Sequence, residues 1–545
     1  MHGGRLVARA LAASGVRNLF GLCGDHVNAI FDGCAEEGIR IIDTRHEAGA
    51  VHMAEGWSLA TGQPGVACVT GGPGLMNAIS PLADAKLAGV PMVLVTSSIR
   101  QDEVGKGYPQ DMDQMAVVRS LCVWSDTVRD AAQLQRSVVD AMSFALSRRG
   151  PAVLEIPLDV QLAKVHDPEP APELPPRLVP SSRLLAFDDA VRLLSEAHRP
   201  VAVVGEGTYW SVLPEAARMF AEAARIPVFT IRAARGLLPD DHELCFGPPN
   251  YLSGPGTVAF PQCDVLVVVG TELDIVLMFG NLAPQAKLIR IDADEDRIRR
   301  HKRADLDLLG DEGEVLAALS RKVNGTNDRE GWVKELREAA SPGDELALGD
   351  GAVHPAALAA HVGRAIGERG TLSLDAGALA LWAYERLPAT GPGRFLSTFT
   401  TPFATLGAGL PFAMAAKLAR PDEPSVALVG DGAVGFSALE LDTAARHGIA
   451  VKVVVGNDSS WGIVKRQMEL GFGRSVGADL ADRRYDELAR SLGAAGERVD
   501  SGTEIPGALD RLMRSKGPSV LDVKLDGSAE HPAMAFIARM FAPEL

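Results

Sequence analysis

Asp431 stands between two glycines, the first of which ends the apolar run 426–429. A helical pattern is predicted over about 437–447, and a second apolar run at 451–455 is followed shortly by Asp458. Two apolar runs separated by a helix are typical of parallel strands, whose carboxyl ends share one edge of a sheet. We therefore expect Asp431 and Asp458 to face one crevice. Carboxylates beside glycines suit a Mg²⁺ ion that holds a phosphate.

The first third of the chain alternates in the same way between apolar runs and helical patterns. Predicted strands cover 19–22, 39–44 and 66–70, and predicted helices cover 27–35 and 47–61. A glycine-rich turn after the third of these strands opens a further helix. This alternation predicts a doubly wound parallel sheet.

Two segments without apolar periodicity divide the chain of 545 residues, a length that predicts three or four domains. The first, 167–182, is rich in proline and acidic residues, and a looser second boundary spans 324–331 and 341–351. Apolar strands alternate with helices between the two boundaries. We predict an α/β protein with three doubly wound parallel-sheet domains, at 1–166, 183–323 and 352–545.

Composition argues against several classes of protein. A formal net charge of −16 disfavours nucleic-acid binding, which needs a basic surface. No apolar run reaches the roughly 18 residues of a membrane span, and we expect neither a membrane contact nor a signal peptide. Six cysteines are scattered without the spacing of a metal site, as in proteins of reducing compartments. We therefore predict a cytoplasmic protein.

The motifs around Asp431 and Asp458, with the stretch RHEAGAVHMAEGW at 45–57, resemble those of thiamine diphosphate enzymes of the pyruvate decarboxylase and acetolactate synthase group. The resemblance covers essentially the whole chain. It implies a pyrimidine-binding, a central and a diphosphate-binding domain, in that order. Two positions depart from the family pattern: Asp458 replaces an asparagine, and Trp57 replaces a tyrosine.

Glu47 lies in the first turn of a predicted helix, directly after a strand. Taken alone, a glutamate there is most often a charge that the helix dipole stabilises. The resemblance implies a sharper role, in which Glu47 hydrogen-bonds N1′ of the aminopyrimidine of the cofactor. The bound cofactor carries the reaction, and the protein supplies orientation and electrostatics.

The resemblance also implies which residues hold thiamine diphosphate and Mg²⁺. Leu406 falls on the apolar residue that supports the two cofactor rings, although a core leucine at a helix start is the simpler interpretation. The predicted cofactor contacts are Glu47, Gly72, Pro73, Asn77, Gly377, Ala378, Ala404, Thr405, Leu406, Gly430, Asp431, Gly432, Ala433, Asp458, Ser460, Trp461, Gly462 and Ile463. The predicted Mg²⁺ ligands are Asp431, Asp458 and Ser460. FAD is not expected, and a bound ADP or CoA stays unassigned.

Within this group, FGLCGDHVNAIF at 20–31 is most similar to benzaldehyde lyases. His26 falls on their histidine that handles protons near the reacting carbonyl, although a lone histidine is more often structural. Asp25 matches a catalytic aspartate of pyruvate decarboxylase-like enzymes, and Gln110 matches a glutamine of acetolactate synthases. The predicted catalytic residues are Glu47, His26, Gln110 and Asp25.

The resemblance predicts a lyase or carboligase that breaks or forms the bond beside a carbonyl in 2-hydroxy ketones, through the enamine intermediate common to this group. A 2-hydroxyacyl-CoA lyase or oxalyl-CoA decarboxylase is an alternative. An acetolactate synthase-like enzyme is another, although Gln467 replaces the tryptophan that recognises 2-oxo acids there. A regulatory relative that binds the cofactor without catalysis is the third.

The family arrangement also predicts the partners of this chain. Family members hold the cofactor between the pyrimidine-binding domain of one subunit and the diphosphate-binding domain of another. We therefore expect a homodimer or homotetramer with active sites at the dimer interface, acting on a small carbonyl substrate.

Overall fold

The computed structural model describes residues 1–166, 168–177, 182, 185–323, 329–340 and 348–541. Within these residues, three sheets follow one another along the chain, and every strand pairing in them is parallel. Of the helices described, none combines the length and the apolar character needed to cross a membrane.

The first sheet has the strand order β2-β1-β3-β4-β6-β5. Its strands are β1 Asn18–Leu22, β2 Arg40–Asp43, β3 Gly65–Val69, β4 Met92–Ser98, β5 Trp124–Thr127 and β6 Pro151–Pro157. The helices of this part are α1 Gly3–Ala13, α2 Asn28–Glu36, α3 Glu47–Thr61, α4 Pro73–Asn77, α5 Ile79–Leu87, α6 Gln114–Val118, α7 Leu134–Arg148 and α8 Leu158–Leu162. The chain reverses direction across the sheet between β1 and β3, the position at which such sheets bind ligands.

The second sheet has the strand order β11-β10-β9-β7-β8, with its reversal between β7 and β9. Its strands are β7 Pro200–Val204, β8 Val228–Thr230, β9 Val265–Val269, β10 Lys287–Asp292 and β11 Leu306–Leu309. The helices here are α9 Phe187–Glu196, α10 Glu206–Tyr209, α11 Ala216–Ala224, α12 Gly256–Gln262, α13 Glu295–Ile298, α14 Glu312–Ser320 and α15 Arg329–Ala339.

The third sheet has the order β13-β12-β14-β15-β17-β16 and repeats the arrangement of the first, with its reversal between β12 and β14. Its strands are β12 Thr371–Leu374, β13 Phe395–Ser397, β14 Ser425–Gly430, β15 Lys452–Asn457, β16 Ala495–Val499 and β17 Ser519–Lys524. The helices are α16 Pro355–Ile366, α17 Ala378–Ala383, α18 Gly409–Ala419, α19 Asp431–Ser437, α20 Glu440–His447, α21 Gly462–Phe472, α22 Tyr485–Ser491, α23 Ile505–Arg514 and α24 Ala533–Phe541.

The structure confirms the predicted α/β class with three parallel sheets. The central strands are buried on both faces, and such strands read as continuous apolar runs in a sequence. The edge strand β5, with the sequence WSDT, has no fully buried residue, and the apolar pattern did not predict it.

Parts of the predicted boundaries lie outside the described residues, namely 167, 178–181, 324–328 and 341–347. Residues 168–177, inside the first predicted linker, form neither helix nor strand. The domain limits themselves stay predictions.

The helix expected over about 437–447 is α20, which begins at Glu440, and a separate helix that was not predicted, α19, starts at Asp431, directly at the end of β14. Gly430 is extended, with φ −78° and ψ 161°, and Asp431 is the first helical residue. An acidic residue in the first turn is favoured there by the helix dipole. The start of α19 places Asp431 and the N–H groups of the first turn at the edge of the third sheet.

Helix α3 of the first part packs closely on α18 of the third. Gly56 permits this approach, because a Cβ at Gly56 would lie 2.7 Å from Cα of Phe412. Arg149 joins the first part to the second, with its guanidinium 2.7 Å from each carboxylate oxygen of the fully buried Glu312. The first contact joins the first and third parts of the chain, and the second joins the first and second parts.

Candidate active site

A cavity of about 310 Å³ lies at the carboxyl edge of the third sheet, where β12, β14 and β15 end. All of the residues predicted to hold the cofactor in this part of the chain line it, except Thr405. Apolar side chains that were not predicted, among them Trp382, Phe399 and Leu525, complete the wall. The cavity therefore combines an apolar surface with the polar end of the sheet.

Asp431 and Asp458 lie together in this cavity, as expected from their positions after neighbouring strands. Burial, and next the negative charge of Asp458, raise the pKa of Asp431 to about 7. Burial also raises the pKa of Asp458. The buried Oδ2 of Asp431 accepts no hydrogen bond from any described residue. Two close carboxylates with a free oxygen fit a divalent cation, which would neutralise their repulsion.

The backbone around the two acids is open enough for a phosphate group to approach it. A Cβ added at Gly430 or at Gly377 would meet no atom of the described residues within 4 Å. Gly377 also has φ +136°, a conformation that favours glycine. A diphosphate beside the cation would therefore fit this edge, and the residues present match the cofactor that the motifs imply.

Ser460 and Trp461 lie in the turn that leads from β15 into α21, and Gly462 and Ile463 are the first two residues of α21. The backbone N–H of Ser460 donates to Oδ1 of Asp458 at 3.1 Å, which fixes that carboxylate. The Trp461 ring lies against Gly432, where a Cβ would be only 2.6 Å from the indole. Asn457, the other side chain of this motif, is fully buried and donates to Asp522, so it does not face the cavity.

The loop 398–407 brings Ala404 and Leu406 to the cavity. Its last residue, Gly407, donates its N–H to the buried carboxylate of Asp375 at 3.1 Å, and Gly409 donates to the same group at 2.8 Å. Thr405, although not on the cavity wall, fixes the loop, since its carbonyl accepts from the Thr398 hydroxyl at 3.0 Å.

Glu47 lies at the corresponding edge of the first sheet. It is the first residue of α3 and only 7% exposed. The side-chain amide of Asn77 donates to its Oε2 at 3.0 Å. The other oxygen, Oε1, lies beside Gly74, 3.4 Å from where a Cβ would be. The structure thus brings Glu47 and Asn77 into contact on the turn of Gly72 and Pro73.

His26, Asp25 and Gln110 lie on loops at this same edge. Gln110 packs on Gly72, with its Cβ and Cγ both 2.9 Å from where a Cβ of Gly72 would be, and has φ +70°. The buried atoms Nδ1 of His26 and Oε1 of Gln110 have no hydrogen-bond partner among the residues described. Asp25 is exposed, and its side chain makes no hydrogen bond or ion pair with the His26 ring within the described part of the chain.

The two edges do not form one cavity within a single chain. The described lining of the cavity belongs wholly to 355–529, so Glu47, Asn77, His26 and Gln110 are all outside it. One chain therefore presents two half-sites. The first is the cavity around Asp431 at the edge of the third sheet, and the second is the group around Glu47 at the edge of the first sheet.

Two buried acids support these half-sites, and neither was among the predicted cofactor contacts. Asp375 organises the start of α18, and Glu440 accepts from the backbone N–H of Arg45 and His46 just before Glu47. Asp375 follows a strand as Asp431 does, and the resemblance to the family places the segment 375–378 at the diphosphate. The position of Glu440 within a helix carries no such signal.

Three family models match the chain. They are described as the N-terminal TPP binding domain of thiamine pyrophosphate enzymes, over 1–117, their central domain, over 187–319, and their C-terminal TPP binding domain, over 375–523. Thiamine pyrophosphate is another name for thiamine diphosphate. The three matches follow the order of the three sheets.

Individual relatives match over nearly the full length. The acetolactate synthase large subunit IlvG of Mycobacterium tuberculosis is 36% identical over 99% of this chain and 98% of its own. Human 2-hydroxyacyl-CoA lyase 2 is 30% identical over 96% of this chain and 90% of its own. The large subunit of acetolactate synthase isozyme 2 of Escherichia coli is 28% identical over 96% of both chains.

Proposed function

This chain belongs to the thiamine pyrophosphate enzyme family, and we propose that it breaks or forms the carbon–carbon bond beside a carbonyl in 2-hydroxy ketones, with Mg²⁺ as its second cofactor. The family assignment makes it a thiamine diphosphate-dependent enzyme of the acetolactate synthase and 2-hydroxyacyl-CoA lyase type. The observation that carries the choice of substrate is the pair of unpartnered polar atoms on His26 and Gln110, at the same edge as Glu47.

The third sheet would hold the diphosphate end of the cofactor. Asp431 and Asp458 would bind Mg²⁺ through their carboxylates, with Ser460 as a further ligand, and the open backbone at Gly377 and Gly430 would admit the phosphates. Leu406 and Trp461 would exclude water from the rings of the cofactor. Thiamine diphosphate, when bound, supplies a carbon nucleophile that adds to a carbonyl.

Glu47 would hold the proton that activates the aminopyrimidine. Asn77 occupies Oε2 of Glu47, and Oε1 is the oxygen left for the ring nitrogen N1′. Because Glu47 is buried at a helix start, its orientation is set by the protein before the cofactor binds. This preorganisation is the contribution that a protein makes to such chemistry.

His26 would take the proton of the substrate hydroxyl while the carbon–carbon bond breaks, and would return it in the reverse direction. A neutral imidazole can act in this way near neutral pH. Gln110, with its free Oε1, would hold the substrate hydroxyl in line. Asp25 is exposed, so it would act on the substrate through its negative charge and not through direct contact.

Charges around the cavity disfavour a CoA ester as substrate. Lys465 and Arg466, which line the polar pocket beside the cavity, already pair with carboxylates: Lys465 with Asp479 at 2.6 Å, and Arg466 with Glu469 at 2.9 Å. Both cations would have to leave a partner before binding the phosphates of CoA. An uncharged hydroxy ketone could bind without breaking either ion pair.

Acetolactate synthase-like ligation of 2-oxo acids is the second candidate. It is favoured by the 36% identity to a protein of that name over almost the whole chain. Gln467 in α21 argues against it, because the resemblance places a tryptophan for 2-oxo-acid recognition there.

We also propose that the active enzyme is a homodimer or a dimer of dimers, since each chain presents only two half-sites. Exposed apolar side chains lie close to both of them in sequence. Phe403 and Phe436 are 40% and 65% exposed beside the third-sheet half, and Met112 is 45% exposed beside the first. Covering these side chains with a second copy would remove apolar surface from water. Light scattering should therefore give at least twice the chain mass of 57.5 kDa.

The second sheet does not suit a dinucleotide such as FAD. The crevice between β7 and β9 contains the buried Glu206, which pairs with Arg232 and Arg297. Gly207 in the same turn is covered by Glu312, whose Oε1 would be 2.6 Å from a Cβ there. A diphosphate in this crevice would meet carboxylates, so we propose that FAD is not a cofactor. Added FAD should leave the melting temperature unchanged.

The substrate proposal is tested by comparing His26→Ala with wild type on benzoin, acetoin, pyruvate, oxalyl-CoA and a 2-hydroxyacyl-CoA. We expect cleavage of a hydroxy ketone, with kcat lowered about 10²-fold or more in His26→Ala, the usual scale for a lost general base. The exposed His198→Ala is the matched control and should behave as wild type. Turnover of CoA esters alone, insensitive to His26→Ala, would overturn the proposal.

A further inference from the structure

The loop 398–407 is held by a hydroxyl group that links it to the first sheet. The side chain of Thr401 accepts a hydrogen bond from the N–H of Ala404 at 3.1 Å. The same hydroxyl lies 3.0 Å from Oδ1 of Asp84 and 2.9 Å from the carbonyl oxygen of Thr398, and it shares its single proton between these two acceptors. Asp84 is in α5, more than 300 residues earlier in the chain. One side chain thus connects a helix of the first part to the backbone of Ala404.

Ala404 needs such support because its backbone is in the left-handed region, with φ +52°. A residue with a Cβ adopts this conformation only where the surroundings impose it. Ala404 lines the cavity and lies two residues before Leu406, so a relaxed Ala404 would move both away from their present places. The hydrogen bond from Ala404 to Thr401 is the contact that opposes this relaxation.

Asp84 is built into a buried cluster that keeps its carboxyl in place. Asp84, Glu55 and His52 each offer a polar atom within 4.8 Å of the others, and all three are buried. Oδ2 of Asp84 has no hydrogen-bond partner within the described chain, and the Glu55 carboxyl is its neighbour. Two buried carboxyls this close are stable when they share a proton, which leaves Oδ1 of Asp84 free to accept from Thr401.

Burial raises the pKa of Glu55 to about 8 and that of Asp84 to about 8, in agreement with a shared proton at neutral pH. His52 is kept neutral by the same burial, which lowers its pKa. The pair of carboxyls therefore carries at most one negative charge, and not the two that separate ionised carboxylates would place in these buried surroundings.

We propose that Asp84 and Thr401 are positioning residues, which hold Ala404 and Leu406 in the conformation that receives the rings of the cofactor. Neither residue lines the cavity, and both act through the backbone of the loop. The proposal rests on the proposed function, because the loop has this role only if the cavity holds thiamine diphosphate.

The test replaces Thr401 by valine, which keeps the shape and removes the hydroxyl. Hydrogen exchange of the Ala404 amide is measured without cofactor, and affinity for thiamine diphosphate with Mg²⁺ is measured by calorimetry. Thr401→Val should exchange at least about tenfold faster at Ala404 and bind the cofactor about tenfold more weakly, as expected for one lost hydrogen bond. The near-ultraviolet circular dichroism of the bound cofactor should change as well.

Matched variants separate positioning from general instability. Thr401→Ser restores the hydroxyl and should restore all three measurements. Thr257→Val removes an equivalent hydroxyl-to-carbonyl bond, 2.8 Å long, far away in α12, and should leave them unchanged. Asp84→Asn keeps an oxygen acceptor and should behave like Thr401→Ser, whereas Asp84→Leu should behave like Thr401→Val.

The outcomes distinguish this proposal from the proposed function. Wild-type exchange at Ala404 in Thr401→Val, or an unchanged dichroism and affinity in that variant, would overturn the positioning role while leaving the proposed function intact. Failure of the wild-type protein to bind thiamine diphosphate would overturn both.

Discussion

Glu440 accepts a hydrogen bond from the backbone N–H of His46 at 3.1 Å, directly before Glu47 at the start of α3. Glu440 is in α20, next to the helix that begins with Asp431. The half-site around Asp431 is therefore connected to the half-site around Glu47 of the same chain. In the proposed dimer these two half-sites would belong to different active centres.

Glu440→Ala is expected to weaken both stability and activity, because it leaves the N–H groups of Arg45 and His46 without their acceptor. Loss of a buried acceptor costs about 1–3 kcal/mol per unpaired group. Thermal unfolding and kcat should be measured together. Glu440→Gln, which keeps one oxygen, should lie between wild type and Glu440→Ala. Equal activity of all three would contradict the support of Glu47 by Glu440.

Asp458→Asn should keep Mg²⁺-dependent cofactor binding, because the amide oxygen of asparagine is also a ligand and the resemblance places asparagine there. Asp431→Asn should weaken binding by more than about tenfold, because it removes the carboxylate whose Oδ2 is free for the ion. Calorimetric titration with Mg²⁺ and thiamine diphosphate measures both. The exposed, distant Asp500→Asn serves as control. Equal binding by Asp431→Asn and wild type would refute the metal assignment.

Glu55→Gln should flatten the dependence of stability on pH. Burial raises the pKa of Glu55 from 4.5 to about 8. The titratable groups that face Glu55 are Asp84 and His52, and Asp375 in turn acts on His52. A raised carboxyl pKa contributes stability that is complete below about 4.5 and is lost as pH rises to about 8. Glutamine stays neutral, so this loss disappears in the variant.

Urea unfolding of wild type and Glu55→Gln from pH 5 to 8 measures this pH dependence of stability. The slopes of unfolding free energy against pH should differ by up to about 1.4 kcal/mol per pH unit, the value for one proton. The exposed Glu173→Gln should keep the wild-type slope. A Glu55→Gln slope equal to that of wild type would show that Glu55 is not protonated on folding.

Arg149→Met should destabilise the chain strongly, because Glu312 is fully buried and would lose the guanidinium that pairs with it. Removing one partner of a buried ion pair costs about 3–5 kcal/mol. Arg136→Met is the matched control, because Arg136 is 72% exposed and its pair with Asp140 contributes little. Denaturant unfolding measures both variants, and a loss below about 1 kcal/mol for Arg149→Met would disprove the expected role.

The local sequence determined the strands and the residues at their ends. Apolar runs such as 426–429 predict buried strands because only such segments can be covered on both faces. An acid that follows such a run within about three residues must then lie at the carboxyl edge of the sheet. This is why Asp431, Asp458 and Glu47 could be assigned to edges from their positions alone.

The tertiary structure alone decided which distant groups meet. Glu440 with His46, Thr401 with Asp84, and Arg149 with Glu312 are each more than 160 residues apart. No local periodicity encodes such pairs, because they depend on how whole helices pack across sheets. The separation of the two half-sites within one chain has the same origin. It follows from the spacing between the first and third sheets, which no single motif contains.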